Sequence, residues 1–105
     1  MTAIRDRVLE QKEALAALGR HFGVRRLDLF GSATTGAHES DRSDLDFLVD
    51  FEEESPDGYA DRYFGLLEEL ERLFACPVDL VIASAIRNPY FRESVEQTRV
   101  LVYAS

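Results

Sequence analysis

The stretch Leu27-Asp28-Leu29-Phe30-Gly31-Ser32-Ala33-Thr34-Thr35-Gly36, followed by Ser43-Asp44-Leu45-Asp46-Phe47-Leu48-Val49, decides how this chain is read. An apolar strand runs into a small, flexible turn. A second apolar strand then begins with two acids. Side chains at i and i+2 of a strand point to the same face. Asp44 and Asp46 are therefore expected to stand side by side. Close carboxylates repel unless a proton or a cation lies between them. Hard divalent cations such as Mg²⁺ take oxygen ligands and commonly share them with substrate phosphates.

The segments around this stretch alternate in type. Residues 3 to about 20 predict a helix, with Ile4, Val8, Leu15, Leu18 and Phe22 on one face and Gly19 and Gly23 bracketing its end. Val24 to Phe30 is the first strand, and 33 to about 38 is a short helix or a turn. Leu45 to Phe51 is the second strand, apolar on both faces after Asp46, as in a central strand. The run Glu52 to Gly58 holds charge, Pro and Gly and reads as a solvated loop. Tyr59 to Phe74 predicts a second long helix, whose Tyr63, Leu67, Leu70 and Phe74 form a core-facing stripe that Phe64, Leu66 and Leu73 widen. Pro77 to Ile82 is a third strand. Asn88-Pro89 gives a cap and a first helical residue, for a helix to about Gln97 with Phe91 and Val95 inward. Val100 to Tyr103 is a last strand or an extended tail. This alternation predicts an α/β (α+β) domain over 1–105, with helices packed on one small sheet and the strand order open.

Composition narrows the function. The chain has 105 residues, is 46% hydrophobic and carries a net charge of −8, from 20 acidic and 12 basic residues. That size fits one domain and one core. The acidic balance argues against direct binding to a nucleic-acid backbone, which needs clustered Lys and Arg. It leaves room for a small nucleotide that brings its own Mg²⁺. Arg25-Arg26 reads as the solvated start of a strand. Cys76 is the single cysteine and reads as a small buried hydrophobe. The N-terminus lacks a signal-peptide pattern, and no apolar run approaches a membrane span, so a cytoplasmic protein is expected.

A third acid, Asp79, sits between Val78 and Leu80 near the start of the third strand. An acid buried there is costly unless paired or bound to a cation. If the second and third strands are neighbours, Asp79 joins Asp44 and Asp46. Three carboxylates at strand ends suit two Mg²⁺ ions, the arrangement that supports in-line displacement at phosphorus. Gly31-Ser32 supplies the complementary half, because a turn without a Cβ lets backbone N–H groups approach a phosphate closely. A hydroxyl at Ser32 can add to that grip, and Gly36 relaxes the exit. Asp28 and Asp50 read as structural or solvent-facing. His21 has no evident role, and His38 reads as a loop residue.

Taken together, Gly31-Ser32-x-x-x-Gly36, Ser43-Asp44-Leu45-Asp46 and Val78-Asp79-Leu80-Val81 resemble the signature of the DNA-polymerase-β-type nucleotidyltransferases, and the length resembles their minimal branch. The resemblance implies the nucleotidyltransferase fold, a small mixed sheet flanked by helices, and Mg²⁺-dependent transfer of AMP from ATP, releasing pyrophosphate. It implies that Asp44 and Asp46 hold both metal ions. Asp79 would hold the catalytic one and help activate the acceptor hydroxyl. Gly31, Ser32, Thr35, Gly36 and Ser43 would contact the nucleotide. Many minimal members are antitoxins that modify a tyrosine of a HEPN-type ribonuclease toxin, which makes such a toxin the expected partner. One departure stands out: Thr34-Thr35 occupies the places where Ala-Arg is frequent, so a hydroxyl replaces a charge at Thr35.

Two other functions compete with protein adenylylation. In one, the chain is a non-catalytic antitoxin that covers its partner, and its acidic surface suits a basic RNA-binding protein. In the other, it transfers a nucleotide to a small molecule. Such enzymes usually add a helical acceptor domain, for which this chain has no residues to spare.

Overall fold

The two strands expected on either side of the Gly31 turn form as read and pair with each other. They are β1 (Val24–Phe30) and β2 (Leu45–Phe51), antiparallel, with Phe30 opposite Asp46 and Leu29 opposite Phe47. The computed structural model describes residues 4–35, 44–52 and 58–105. Gly36, His38, Ser43 and most of the expected 52–58 loop lie outside the described residues. Two further strands, β3 (Val78–Ile82) and β4 (Val100–Ala104), complete a four-stranded mixed sheet in the order β3-β2-β1-β4. β4 pairs antiparallel with β1, so the segment left open between strand and tail is a strand. β2 and β3 run parallel, and the helix between them is the crossover that parallel neighbours require.

Alternation along the strands gives the sheet two unlike faces. Leu27, Leu29, Leu45, Phe47, Val49, Val78, Leu80 and Val102 belong to the main core. There they meet α1 (Ile4–Leu9), α2 (Lys12–Phe22) and α4 (Tyr59–Phe74) through Val8, Leu15, Leu66, Leu70 and Phe74. Burying one such Leu or Phe contributes about 1.5–3 kcal/mol. The opposite face has a much smaller core of Phe30, Leu48, Ile86 and Val95. It is covered by α5 (Pro89–Thr98), and Asp28, Asp46 and Asp79 alternate onto it. The acids thus stand on the thinly covered face of the sheet, on three neighbouring strands.

Two helical expectations are corrected. The first helix is broken at Glu10-Gln11, where the Gln11 amide reaches back three residues to Val8 O at 3.0 Å instead of continuing the α ladder. No Pro or Gly marks the break. It lets both Val8 and Leu15 reach the core completely. Gly19 lies inside α2 rather than at its end, because a Cβ there would run into the Tyr103 ring of β4. Gly23, at φ 69°, is the C-cap that turns the chain into β1.

Three smaller readings also shift. Cys76 is half-buried against the core rather than enclosed. Phe91 stays 40% exposed while Val95 is buried. Phe91 meets Phe30 edge-on at the margin of the small core under α5, ring centroids 6.0 Å apart. Phe64 of α4 stays 62% exposed, outside the stripe it is expected to widen, whereas Arg25 and Arg26 are both exposed at the strand start as expected.

The start of α5 follows the sequence closely. Asn88 Oδ1 accepts from the amides of Tyr90 and Phe91 at 2.8 and 3.3 Å, and Pro89 takes the first helical position. Asn88→Ala is expected to lower stability by about 1 kcal/mol, read as a shifted urea midpoint with an unchanged slope. The outer edge of β3 is also closed by side chains. Tyr63 donates its hydroxyl to Leu80 O at 2.6 Å, and the Val78 amide donates to Glu71 Oε2 at 3.1 Å. Side chains of α4 thus satisfy edge groups that would otherwise invite another strand.

Candidate active site

β2 and β3 start at the same end of the sheet, and their parallel register sets Asp46 beside Asp79. Neighbours on one face of a sheet stand close enough for their charges to act on each other, and like charges there are destabilising. The expected cost of Asp79 changes in kind. Asp79 is exposed and Asp46 half-exposed, so the penalty is repulsion rather than desolvation. Asp44 is exposed and sits just ahead of the strand, which begins at Leu45.

Gly31 follows β1 directly and lies against Asp46. Its φ of 79° is left-handed, and a Cβ built on it would lie 2.6 Å from Asp46 Oδ2. Sequence reasoning assigned this glycine to close approach by a phosphate. The structure adds a nearer reason, which is that the bare Cα makes room for the Asp46 carboxylate. Both backbone groups of Gly31 are engaged. Its amide donates to Thr98 Oγ1 at 3.0 Å, while its carbonyl accepts from the Thr34 amide at 3.1 Å and the Thr34 hydroxyl at 2.9 Å. Thr34, at the place where Ala is frequent, therefore serves the turn itself. Ser32 begins the short helix α3 (Ser32–Thr35) and is half-buried, and Thr35 ends it.

Charged and phenolic groups frame the acids. Asp28 is fully buried beside this face and accepts from Arg26 Nε at 2.8 Å, Arg26 Nη2 at 3.1 Å and Arg99 Nε at 2.5 Å. The hydrogen bond to Asp28 holds the Arg99 guanidinium pKa above its ordinary value, against the opposing pull of burial. Asp28 is thus structural, its charge already spent on two cations. Asp50 is half-exposed with Arg25 at 3.4 Å. Burial pushes the Tyr63 phenol up, and the nearby negative charge of Asp79 adds to the shift. Thr98 was not legible as a site residue, because its partner lies 67 residues away in sequence.

Carboxylates held as register neighbours, with an open glycine against one of them, supply the hard oxygens that a divalent cation takes. The residues present fit such an ion. Among the described residues, no three His, Cys, Asp or Glu side chains are gathered into a metal-holding group. The backbone thus brings Asp46 and Asp79 together, with Asp44 at the rim.

Comparison with known proteins agrees with this architecture. The nucleotidyltransferase domain family matches residues 10–102. A Methanocaldococcus jannaschii protein provisionally named a protein adenylyltransferase is 33% identical over 102 residues, covering 97% of each chain. The protein adenylyltransferase MntA of Thermococcus cleftensis is 42% identical over 71 residues, 68% of each. The solved structure of a minimal nucleotidyltransferase superposes with a TM-score of 0.73 at 30% identity, over 91% of this chain and 93% of that one. The fold is also that of the MNT antitoxin in complex with the tri-AMPylated Shewanella oneidensis HEPN toxin, TM-score 0.63 at 16% identity, over 93% of this chain and 73% of that one. The chain belongs to the nucleotidyltransferase domain family.

A substitution at the glycine tests the geometry. Gly31→Ala is expected to cost about 1–2 kcal/mol of stability from the left-handed backbone alone. It should also turn the Asp46 carboxylate away from Asp79, lowering nucleotidyl transfer by about 100-fold. Urea unfolding and label transfer read the two effects separately. Full transfer activity in Gly31→Ala would show that Asp46 does not need the space.

Proposed function

We propose that this chain is a protein adenylyltransferase that moves AMP from ATP to a hydroxyl of a partner protein, and that the partner is a HEPN-type toxin modified on tyrosine. The observation that carries the reading is the juxtaposition of Asp46, Asp79 and Gly31 at one end of the sheet. The likeness in sequence to protein adenylyltransferases over most of the chain supports it.

Within this reading Asp44, Asp46 and Asp79 would hold Mg²⁺, two ions being the number the chemistry favours. Bound there, Mg²⁺ supplies charge to neutralise the triphosphate and the leaving pyrophosphate. The remaining work falls to the chain. Ser32 binds and orients the triphosphate at the turn that Gly31 shapes, the backbone groups of Gly31 itself being engaged by Thr98 and Thr34, with Thr35, Gly36 and Ser43 as the further candidate contacts to the nucleotide. Asp79 accepts the proton of the incoming hydroxyl. The net charge of −8 suits docking onto a basic ribonuclease and leaves direct nucleic-acid binding to the partner. Among the described residues, no helix is long and apolar enough to cross a membrane.

The test is transfer of label from ATP carrying a radioactive α-phosphate, with Mg²⁺, in native-host lysate. A labelled protein band that appears only with an active chain, with the label mapped by mass spectrometry to tyrosine, is the expected result. No labelled band, from a chain that still captures its partner, would overturn the catalytic reading and leave an antitoxin that acts by covering. Label on a small molecule instead would redirect the acceptor.

A further inference from the structure

We infer that Thr98, at the end of α5, is a positioning residue for the reaction: its hydroxyl sets the Gly31 turn against the Asp46 carboxylate. The inference rests on the proposed AMP transfer. Thr98 Oγ1 donates to Ser94 O at 3.0 Å, the helical back-bond open to a threonine. That bond uses the hydroxyl proton and leaves a lone pair facing outward, which accepts the Gly31 amide at 3.0 Å. Gly31 is thereby held from both sides, by Thr98 on its amide and by Thr34 on its carbonyl. Its left-handed backbone is the one that leaves room for Asp46 Oδ2.

The next residue shows that this bond is not what attaches the helix. Arg99 anchors the same end of α5 to buried Asp28 at 2.5 Å, and Val95 packs beneath the previous turn. α5 therefore keeps its place without the Thr98 hydroxyl, and what the hydroxyl adds is the position of Gly31. Second-layer hydrogen bonds of this kind typically change activity by about 10–100-fold when removed. Valine keeps the branched shape of threonine and loses the acceptor, whereas serine keeps the acceptor and loses a methyl group.

The experiment compares Thr98→Val and Thr98→Ser in the full chain. One readout is amide hydrogen exchange at Gly31. The other is the rate of transfer of α-phosphate label from ATP in host lysate at varied ATP. In Thr98→Val, Gly31 exchange should rise about 10-fold or more, as expected for an amide released to water. The rate at saturating ATP should fall about 10–100-fold with half-saturation changed less than about threefold. Thr98→Ser should stay near wild type in both. Unchanged Gly31 exchange in Thr98→Val overturns the inference, as does released exchange with a wild-type rate. Failure of Thr98→Val to fold makes Thr98 a fold anchor and overturns it as well. If the wild-type chain transfers no label, the proposed function fails on its own, and the exchange readout alone decides whether Thr98 holds Gly31.

Discussion

Asp46→Asn is expected to lose AMP transfer by at least about a thousandfold, or about 4 kcal/mol of barrier, while capturing its partner as well as wild type does. The expected loss is large because Asp46 stands where three features meet. It is the register neighbour of Asp79 on β3, it lies opposite Phe30 on β1, and its Oδ2 occupies the space that Gly31 leaves open. Asparagine keeps the shape and one acceptor oxygen and removes the charge that a hard cation requires. The same change should help the metal-free protein, because it relieves repulsion with Asp79, by about 0.2–1 kcal/mol. Calorimetry with and without MgCl₂ reads both effects. Wild type should gain Tm with Mg²⁺ and the variant should not. A variant that still gains Tm with Mg²⁺ and still labels its partner would remove Asp46 from the site.

The largest expected effect on stability comes from an acid outside the chemistry. Asp28 is fully buried and accepts three hydrogen bonds from Arg26 and Arg99. Asp28→Asn preserves volume but turns an amide toward two guanidinium groups and removes the charge that pairs them. Breaking one side of a buried pair costs about 3–5 kcal/mol. Here the Arg26 side chain is 47% exposed and can turn to water, so about 2–4 kcal/mol is expected. That corresponds to a fall in Tm on the order of 10–20 °C for a domain of this size. Asp50→Asn is the control. Its arginine partner is 58% exposed at 3.4 Å, and the cost should stay below about 1 kcal/mol. Equal urea midpoints for the two variants would show that burial of Asp28 adds nothing.

Local pattern carried much of the fold. β1, β2 and α4 form over the residues expected, because an apolar run bounded by glycine or a turn leaves few alternatives. Asn88-Pro89 marked α5 through chemistry confined to adjacent residues. Contacts set by distant segments were not legible. The strand order depends on which edge β4 reaches. The break at Glu10-Gln11 follows from seating Val8 and Leu15 together, and the place of Gly19 follows from the Tyr103 ring. The candidate site divides in the same way. The motifs named Gly31, Asp46 and Asp79, and strand adjacency, which the sequence left conditional, brings them together. That Gly31 serves a carboxylate, and that a threonine in the last helix holds it, belongs to the folded chain alone.

The placement of β1 between β2 and β4 has a consequence for how the protein is made. Synthesis runs from the N-terminus, so the strand that precedes the Gly31 turn emerges before β2 and β3 and waits for β4, far along the chain. A chain stalled on the ribosome before Thr98 would already carry Asp44, Asp46 and Asp79. It would lack the hydroxyl on Gly31, the guanidinium on Asp28 and the strand along one side of β1. Pairings this distant in sequence form slowly and together. Competence should therefore arrive as a single event once β4 is free, and a chain stalled before it would hold every acid without the geometry to use them.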